Sequence, residues 1–180
     1  MHFEKQTESI LRIKSAGGYL LTRTFNFSTE QTSNTDQQVI DQFINSEFHL
    51  WRGEEEPNGL EISFTEEGRT WKESSVKVFG PFNNELINSS HYAPVTFNEI
   101  RAILFNSFSE EADYDPTFID KAKTEIEQLF NTRNQGFFLT ATRDKNPELI
   151  SRFDVFDFFF SFILLNSGTN TLTHIEFGLD

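Results

Sequence analysis

Asp154 and Asp157 are the side chains in this sequence whose types and spacing most suggest chemistry. If residues 147–165 form a helix, the two carboxylates share one narrow stripe with Ser161, and the remaining positions are almost all apolar. Such a pair can hold a divalent metal or act as an acid and a base. It can equally be a solvated stripe, or pair with Arg152 and Arg143. The four histidines, His2, His49, His91 and His174, are never three or four apart, so no helical zinc pair exists. His49 reads as a strand residue at a surface or interface, and His91 as a loop residue before Pro94. No E-x-x-H, phosphate-binding glycine loop, dinucleotide fingerprint or nucleophile elbow occurs. A Glu-rich turn with Arg69, Lys72 and Lys77 nearby is the other arrangement that could bind magnesium. No catalytic, cofactor-binding or metal-ligating residue is assigned on these grounds, and no cofactor is expected.

The elements that would position these groups follow from periodicity. Asn146 can cap, Pro147 suits the first helical position and Glu148 favours its positive end, so a buried helix over 147–165 is expected. Asn166-Ser167-Gly168 would stop it. The rival for the Phe-rich part is a central strand, because Phe, Val and Ile favour sheets. Elsewhere Tyr19, Leu21, Phe25 and Phe27 alternate on one face that Arg23 interrupts, which marks a strand over 19–27. Residues 10–13 read as a helix end or an edge strand, and 48–51 as a strand. Residues 60–65 alternate as a half-buried strand. A further strand runs through Trp71, Val76, Val78 and Phe82, broken at Gly80-Pro81, and 83–92 is a polar loop. Helices are expected from Asp36 (Val39, Ile40, Phe43, Ile44), from the capping box Thr96–Glu99 (Ile100, Ile103, Leu104, Phe108), and from Asp115-Pro116 to Phe130. Residues 137–142 and 172–179 are strands, the latter with Ile175, Phe177 and Leu179 inward and His174 and Glu176 outward. The sum is an α+β fold in a single domain, 1–180, with a largely antiparallel sheet and about four helices, that over 147–165 deeply buried.

Composition narrows the function classes. The chain has 180 residues, 22 of them Phe, so its core is aromatic-rich. It has no Cys, which leaves no disulfide and no thiolate metal site. The first residues, 1–8, are polar, and the Phe-rich run has eight uncharged residues where a membrane span needs about 20. A soluble, cytoplasmic protein is expected. The formal charge is −13, and its placement is uneven. Glu54, Glu55, Glu56, Glu61, Glu66 and Glu67 carry −6 with no base among them. Residues 110–127 carry −5, from Glu110, Glu111, Asp113, Asp115, Asp120, Glu125 and Glu127 against Lys121 and Lys123. Phosphates select Lys and Arg, so direct nucleic-acid or anionic-membrane binding is disfavoured and a basic protein partner is favoured. Phe64 and Trp71 border the first block, and Phe108, Tyr114 and Phe118 the second, as aromatic anchors ringed by charge would.

With these blocks the chain resembles the bacterial immunity proteins that neutralise a nuclease toxin delivered between competing cells, as in contact-dependent growth inhibition. It shares their small size, acidity, aromatic content and lack of Cys. The resemblance implies a non-enzymatic inhibitor that occludes a basic toxin domain. Glu54, Glu55, Glu56, Glu61, Glu66, Glu67, Glu110, Glu111, Asp113 and Asp115 would be its contacts. The alternatives are a ligand- or protein-binding regulatory domain and a metal-dependent hydrolase. Locally, Tyr92-Ala93-Pro94-Val95-Thr96-Phe97-Asn98-Glu99, running on to Phe108, is similar to a strand-to-helix segment of the Whirly single-stranded-DNA-binding fold. The basic motif of that fold is missing here, so the likeness implies local structure and not DNA binding.

Overall fold

The computed structural model describes residues 1–13, 18–28, 34–49, 60–65, 68–73, 78–110, 116–130, 134–151 and 158–179; side chains of 60–65, 68–73, 109 and 110 are outside the description. In chain order the strands and helices are β1 (His2–Ile13), β2 (Gly18–Ser28), α1 (Asp36–Ile44), β3 (Leu60–Thr65) and β4 (Gly68–Glu73). They continue with β5 (Val78–Phe79), β6 (Phe82–Asn83), β7 (Tyr92–Val95), α2 (Phe97–Glu110) and α3 (Pro116–Leu129). Last come β8 (Gln135–Leu139), β9 (Phe158–Asn166) and β10 (Thr171–Leu179). Six strands form one sheet in the order β1-β2-β10-β9-β8-β7, and every pairing in it is antiparallel. The α+β class and the antiparallel sheet therefore stand.

The expected helix over 147–165 does not form. Three α-helices occur among the described residues instead of about four. Pro147–Leu149 makes a single 3-10 turn, and Phe158–Asn166 is β9. Residues 152–157, with Asp154 and Asp157, lie outside the described residues. The physical reason is position. β9 and β10 are the two middle strands, and helices or loops cover both faces of the sheet. Successive side chains of β9 then point into two different cores, Ile163 and Leu165 into one and Phe162 and Leu164 into the other. An unbroken apolar run satisfies that demand as well as it satisfies a buried helix. Each of these four side chains, at most 1% exposed, contributes about 1.5–3 kcal/mol by burial. Asn166-Ser167-Gly168 opens the β9–β10 hairpin, where Asn170 takes the positive φ of 51° that closes the turn.

The α2–α3 face of the sheet is apolar. Leu20, Phe162, Leu164, Ile175 and Phe177 meet Ile100, Leu104 and Phe108 of α2 and Phe118, Ala122 and Ile126 of α3. The capping box of α2 forms as expected: the Thr96 backbone N–H donates to Glu99 at 2.8 Å, and the Glu99 backbone N–H donates to Thr96 Oγ1 at 3.3 Å. The opposite face is covered by α1, residues 45–49 and residues 78–91. The N-cap of α1 is Thr35 in a capping box with Gln38, one residue before the expected Asp36.

Several boundaries differ from expectation. β1 is a full edge strand of 12 residues, far longer than its apolar part, because its other residues face solvent at the sheet edge. Tyr92, expected in a loop, begins β7, and Phe48 and His49 lie in a turn and not in a strand. The broken strand through Val78 and Phe82 is a miniature hairpin. Its two-residue loop is Gly80-Pro81, and Gly80 carries the positive φ (54°) that a type II′ turn requires first. A Cβ at Gly80 would also lie 2.4 Å from the Phe159 ring.

Candidate functional site

The α1 face contains a continuous run of buried polar side chains. Arg23 is 3% exposed, and His49, Ser161, His174 and Glu176 are 0% exposed. Strand register brings them together. Arg23 on β2 lies opposite His174 on β10, and Glu176 on β10 lies opposite Ser161 on β9. Tyr92 reaches in from β7, while His49 and Asn84 come from the layer above. Phe79 stacks on the His49 ring (centroids 3.8 Å apart, planes at 28°), and Phe43 packs edge-on against both imidazoles.

One direction of hydrogen bonding satisfies the run. Asn84 Nδ2 donates to the Ile44 carbonyl at 3.3 Å, which turns Oδ1 toward His49. His49 Nδ1–H therefore donates to Asn84 Oδ1 at 2.7 Å, and its Nε2 accepts from the Tyr92 hydroxyl at 2.9 Å. The Tyr92 oxygen accepts from Ser161 at 2.9 Å, and Ser161 accepts from His174 Nε2–H at 3.0 Å. His174 Nδ1 accepts from Arg23 at 3.1 Å, because a guanidinium can only donate. Arg23 also donates to Glu176, whose other oxygen accepts from Tyr19 at 3.5 Å.

Both imidazoles are neutral in this arrangement. Burial lowers His49 to about 3, with Asn84 opposing and the Arg23 charge assisting. Burial also holds His174 well below the usual range, helped by Arg23 and His49. Glu176 is raised by burial while Arg23 pulls it back, and Tyr92 is raised by burial above the usual phenol range.

Ser161, His174 and Glu176 have the spacing of a serine triad: 3.0 Å from Ser161 Oγ to His174 Nε2, and 3.3 Å from His174 Nδ1 to Glu176 Oε1. The protons are on the wrong atoms for that chemistry. A general base needs Nδ1–H facing the carboxylate and a bare Nε2 facing the hydroxyl. Arg23 stands between His174 and Glu176 and imposes the opposite tautomer. Ser161 therefore receives a proton contact from His174 and passes its own to Tyr92. The run is a seal between layers, and its members do not face solvent.

The sequence reading missed these residues for one reason. His174 and Glu176 were expected to face outward, and His49 to be a strand residue at a surface or interface, whereas all three are buried inside the chain. The available signal was Arg23, which interrupts an otherwise apolar face, and Ser161, which stands alone in a Phe-rich run.

Glu54, Glu55, Glu56, Glu66, Glu67, Glu111, Asp113 and Asp115 fall outside the described residues. Glu61 is on β3 opposite Lys72 of β4, and Glu110 ends α2. The structure sorts the rest of the second block. Glu127 takes two hydrogen bonds from Arg101, at 2.6 and 2.7 Å, and Glu125 accepts from Ser9 and Thr22 across the α3–sheet contact. Phe108 and Phe118, considered as anchors, are core residues at 0% and 6% exposure. Among the described residues no group of three or more His, Asp or Glu is placed to hold a metal ion. No described helix is long and apolar enough to cross a membrane. A shallow groove of about 430 Å³ lies at the β7–β8 edge, lined in part by Pro94, Val95, Thr96, Phe97, Gly136 and Phe137. No protein-family model, no curated protein and no solved structure matches this chain.

Proposed function

We propose that this chain is an acidic protein-binding domain of the immunity type, which neutralises a basic toxin domain by covering its active site. The observation that carries the reading is the concentration of −11 of the −13 formal charge in residues 54–67 and 110–127. Internal pairing sharpens it. Glu125 accepts from Ser9 and Thr22 and Glu127 is paired with Arg101, so the reading puts the partner contacts on the acids of 54–67 and 110–115. Carboxylates there would meet the Lys, Arg and His that a nuclease uses on phosphate. Such charge accelerates encounter more than it tightens the final complex.

The test uses a tagged chain expressed in its native host. A basic partner should be recovered at one-to-one stoichiometry. Reversing Glu54, Glu55, Glu111 and Asp113 to Lys should slow association by at least tenfold at low salt and far less at high salt. Association kinetics that ignore these four charges would remove the reading. The groove at the β7–β8 edge favours a second reading, a regulatory domain that binds a small ligand or peptide. Gln135→Trp, which would fill it from the start of β8, separates the two: the immunity reading expects toxin binding to be unchanged.

A further inference from the structure

We infer that the hydrogen-bonded run from Arg23 to Asn84 is an acid-sensitive latch, which seats the α1 layer on one face of the sheet and releases it on protonation while α2 and α3 stay packed on the other. This goes beyond partner binding, and it rests first on geometry. The His49–Tyr92 bond joins the covering layer to β7 of the sheet, and Asn84 ties His49 to the end of α1 through the Ile44 carbonyl. Every bond in the run follows one donor direction, as derived above. A proton added to His49 Nε2 faces the Tyr92 oxygen, so Tyr92 must turn its own hydrogen elsewhere. A proton added to His174 Nδ1 faces the Arg23 guanidinium at 3.1 Å, and the acceptor beside it, Glu176 Oε1 at 3.3 Å, already takes a hydrogen bond from Arg23. The first event sets two donors against each other, the second makes His174 compete with Arg23 for Glu176, and either one breaks the single donor direction of the run. Arg23 Nε finds no partner among the described residues, so no spare acceptor adjoins the guanidinium there.

The groups facing the two imidazoles are Arg23 from β2, Glu176 from β10, Tyr92 from β7, Ser161 from β9 and Asn84 from the covering layer. Tyr19 and Glu8 act on Glu176. On α1, Asp41 accepts from the Ser89 backbone N–H and Asp36 from Ser167, away from the imidazoles. An unfolded imidazole takes up its proton near pH 6.5, whereas His49 in the fold resists to about 3. Seating of the layer is therefore fully favourable above pH 6.5 and weakens as pH falls below it, by up to about tenfold per pH unit for each imidazole. Glu176 works in the opposite sense. Its folded value is raised, so acidification to its folded value relieves its burial and offsets part of the loss at lower pH. The α2–α3 face has no buried imidazole among its core residues.

Amide exchange of the whole chain, corrected for intrinsic rates and followed by mass spectrometry from pH 7 to pH 4, tests the latch. Protection of 36–49 and 78–91 should fall by about tenfold or more per pH unit, ahead of 97–110 and 116–129. Loss of protection in both layers at one pH would overturn the inference. His49→Gln keeps one donor and one acceptor without a titrating ring. It should flatten the pH response of the α1 layer by about tenfold per unit, and an unchanged slope would overturn the inference as well. The wild-type exchange profile stands alone if that variant fails to fold. Binding of a basic partner enters neither readout, so failure here is distinguishable from failure of the immunity reading.

Discussion

The two faces of the central sheet are both covered, and by different means. On the α2–α3 side, apolar side chains such as Phe108, Phe162 and Phe177 interlock, and the polar contacts lie around them: Glu125 with Ser9 and Thr22, and Glu127 with Arg101. On the α1 side, a comparable set of Phe, Ile and Leu residues surrounds a row of groups that must each find a partner. An apolar core tolerates slight shifts of its parts, because its contacts have no direction. A buried polar row tolerates few, because each lost bond leaves a desolvated group costing about 1–3 kcal/mol. The α1 layer should therefore have one sharply defined seat, and the α2–α3 layer a broader one.

The largest effects test whether the two kinds of burial fail differently. Phe108→Ala should destabilise by about 3–5 kcal/mol through the cavity it leaves, and Arg23→Met by about 3–5 kcal/mol through the unpaired Glu176. Denaturant titration at pH 7 measures both. The contrast lies in rescue: adding Glu176→Leu to Arg23→Met should restore most of the loss, since no buried charge then remains. Failure of that double variant to recover would make the polar row a net source of stability and weaken the contrast. A middle-sized effect is expected for Tyr92→Phe. It leaves Ser161 without its acceptor and His49 Nε2 without its donor, which should cost about 1–3 kcal/mol. A loss below the denaturation error would mean that the row has alternative partners. The smallest test moves no stability at all. Nitrogen chemical shifts at pH 7 should report His49 protonated at Nδ1 and His174 at Nε2, and the reverse for His174 would restore the serine-triad tautomer.

Much of the fold was legible in the sequence where one side of an element is solvated. Val39, Ile40, Phe43 and Ile44 announced α1, and the Thr96–Glu99 box announced α2. The alternation from Tyr19 to Phe27 announced β2 as well, although only Asn26 and Ser28 at its end are exposed. Legibility failed where both sides are covered. In β9 every residue from Ser161 to Asn166 is buried, so the run loses its period and mimics a buried helix. In β10 the same cause gave the opposite error: alternating polar residues were assigned to water, when His174 and Glu176 face a second core. The candidate contacts in the acidic blocks were read from charge alone. Glu125 and Glu127, which that list leaves out, accept hydrogen bonds from Ser9 and Thr22 and from Arg101.

The place of β10 in the sheet also sets a timetable for synthesis. Arg23 and its partner Glu176 are 153 residues apart in the chain, and β10 lies between β2 and β9. At about 5–20 residues per second, a ribosome delivers β2 roughly 8–30 seconds before β10. Throughout that interval β1–β2 has no link to β7–β8, and the apolar faces of Leu20, Phe25 and Phe27 have no neighbouring strand on one side. A nascent chain of this protein therefore passes through a long stage at which two half-sheets coexist, and of the six strands of this sheet the one made latest is the one that joins them.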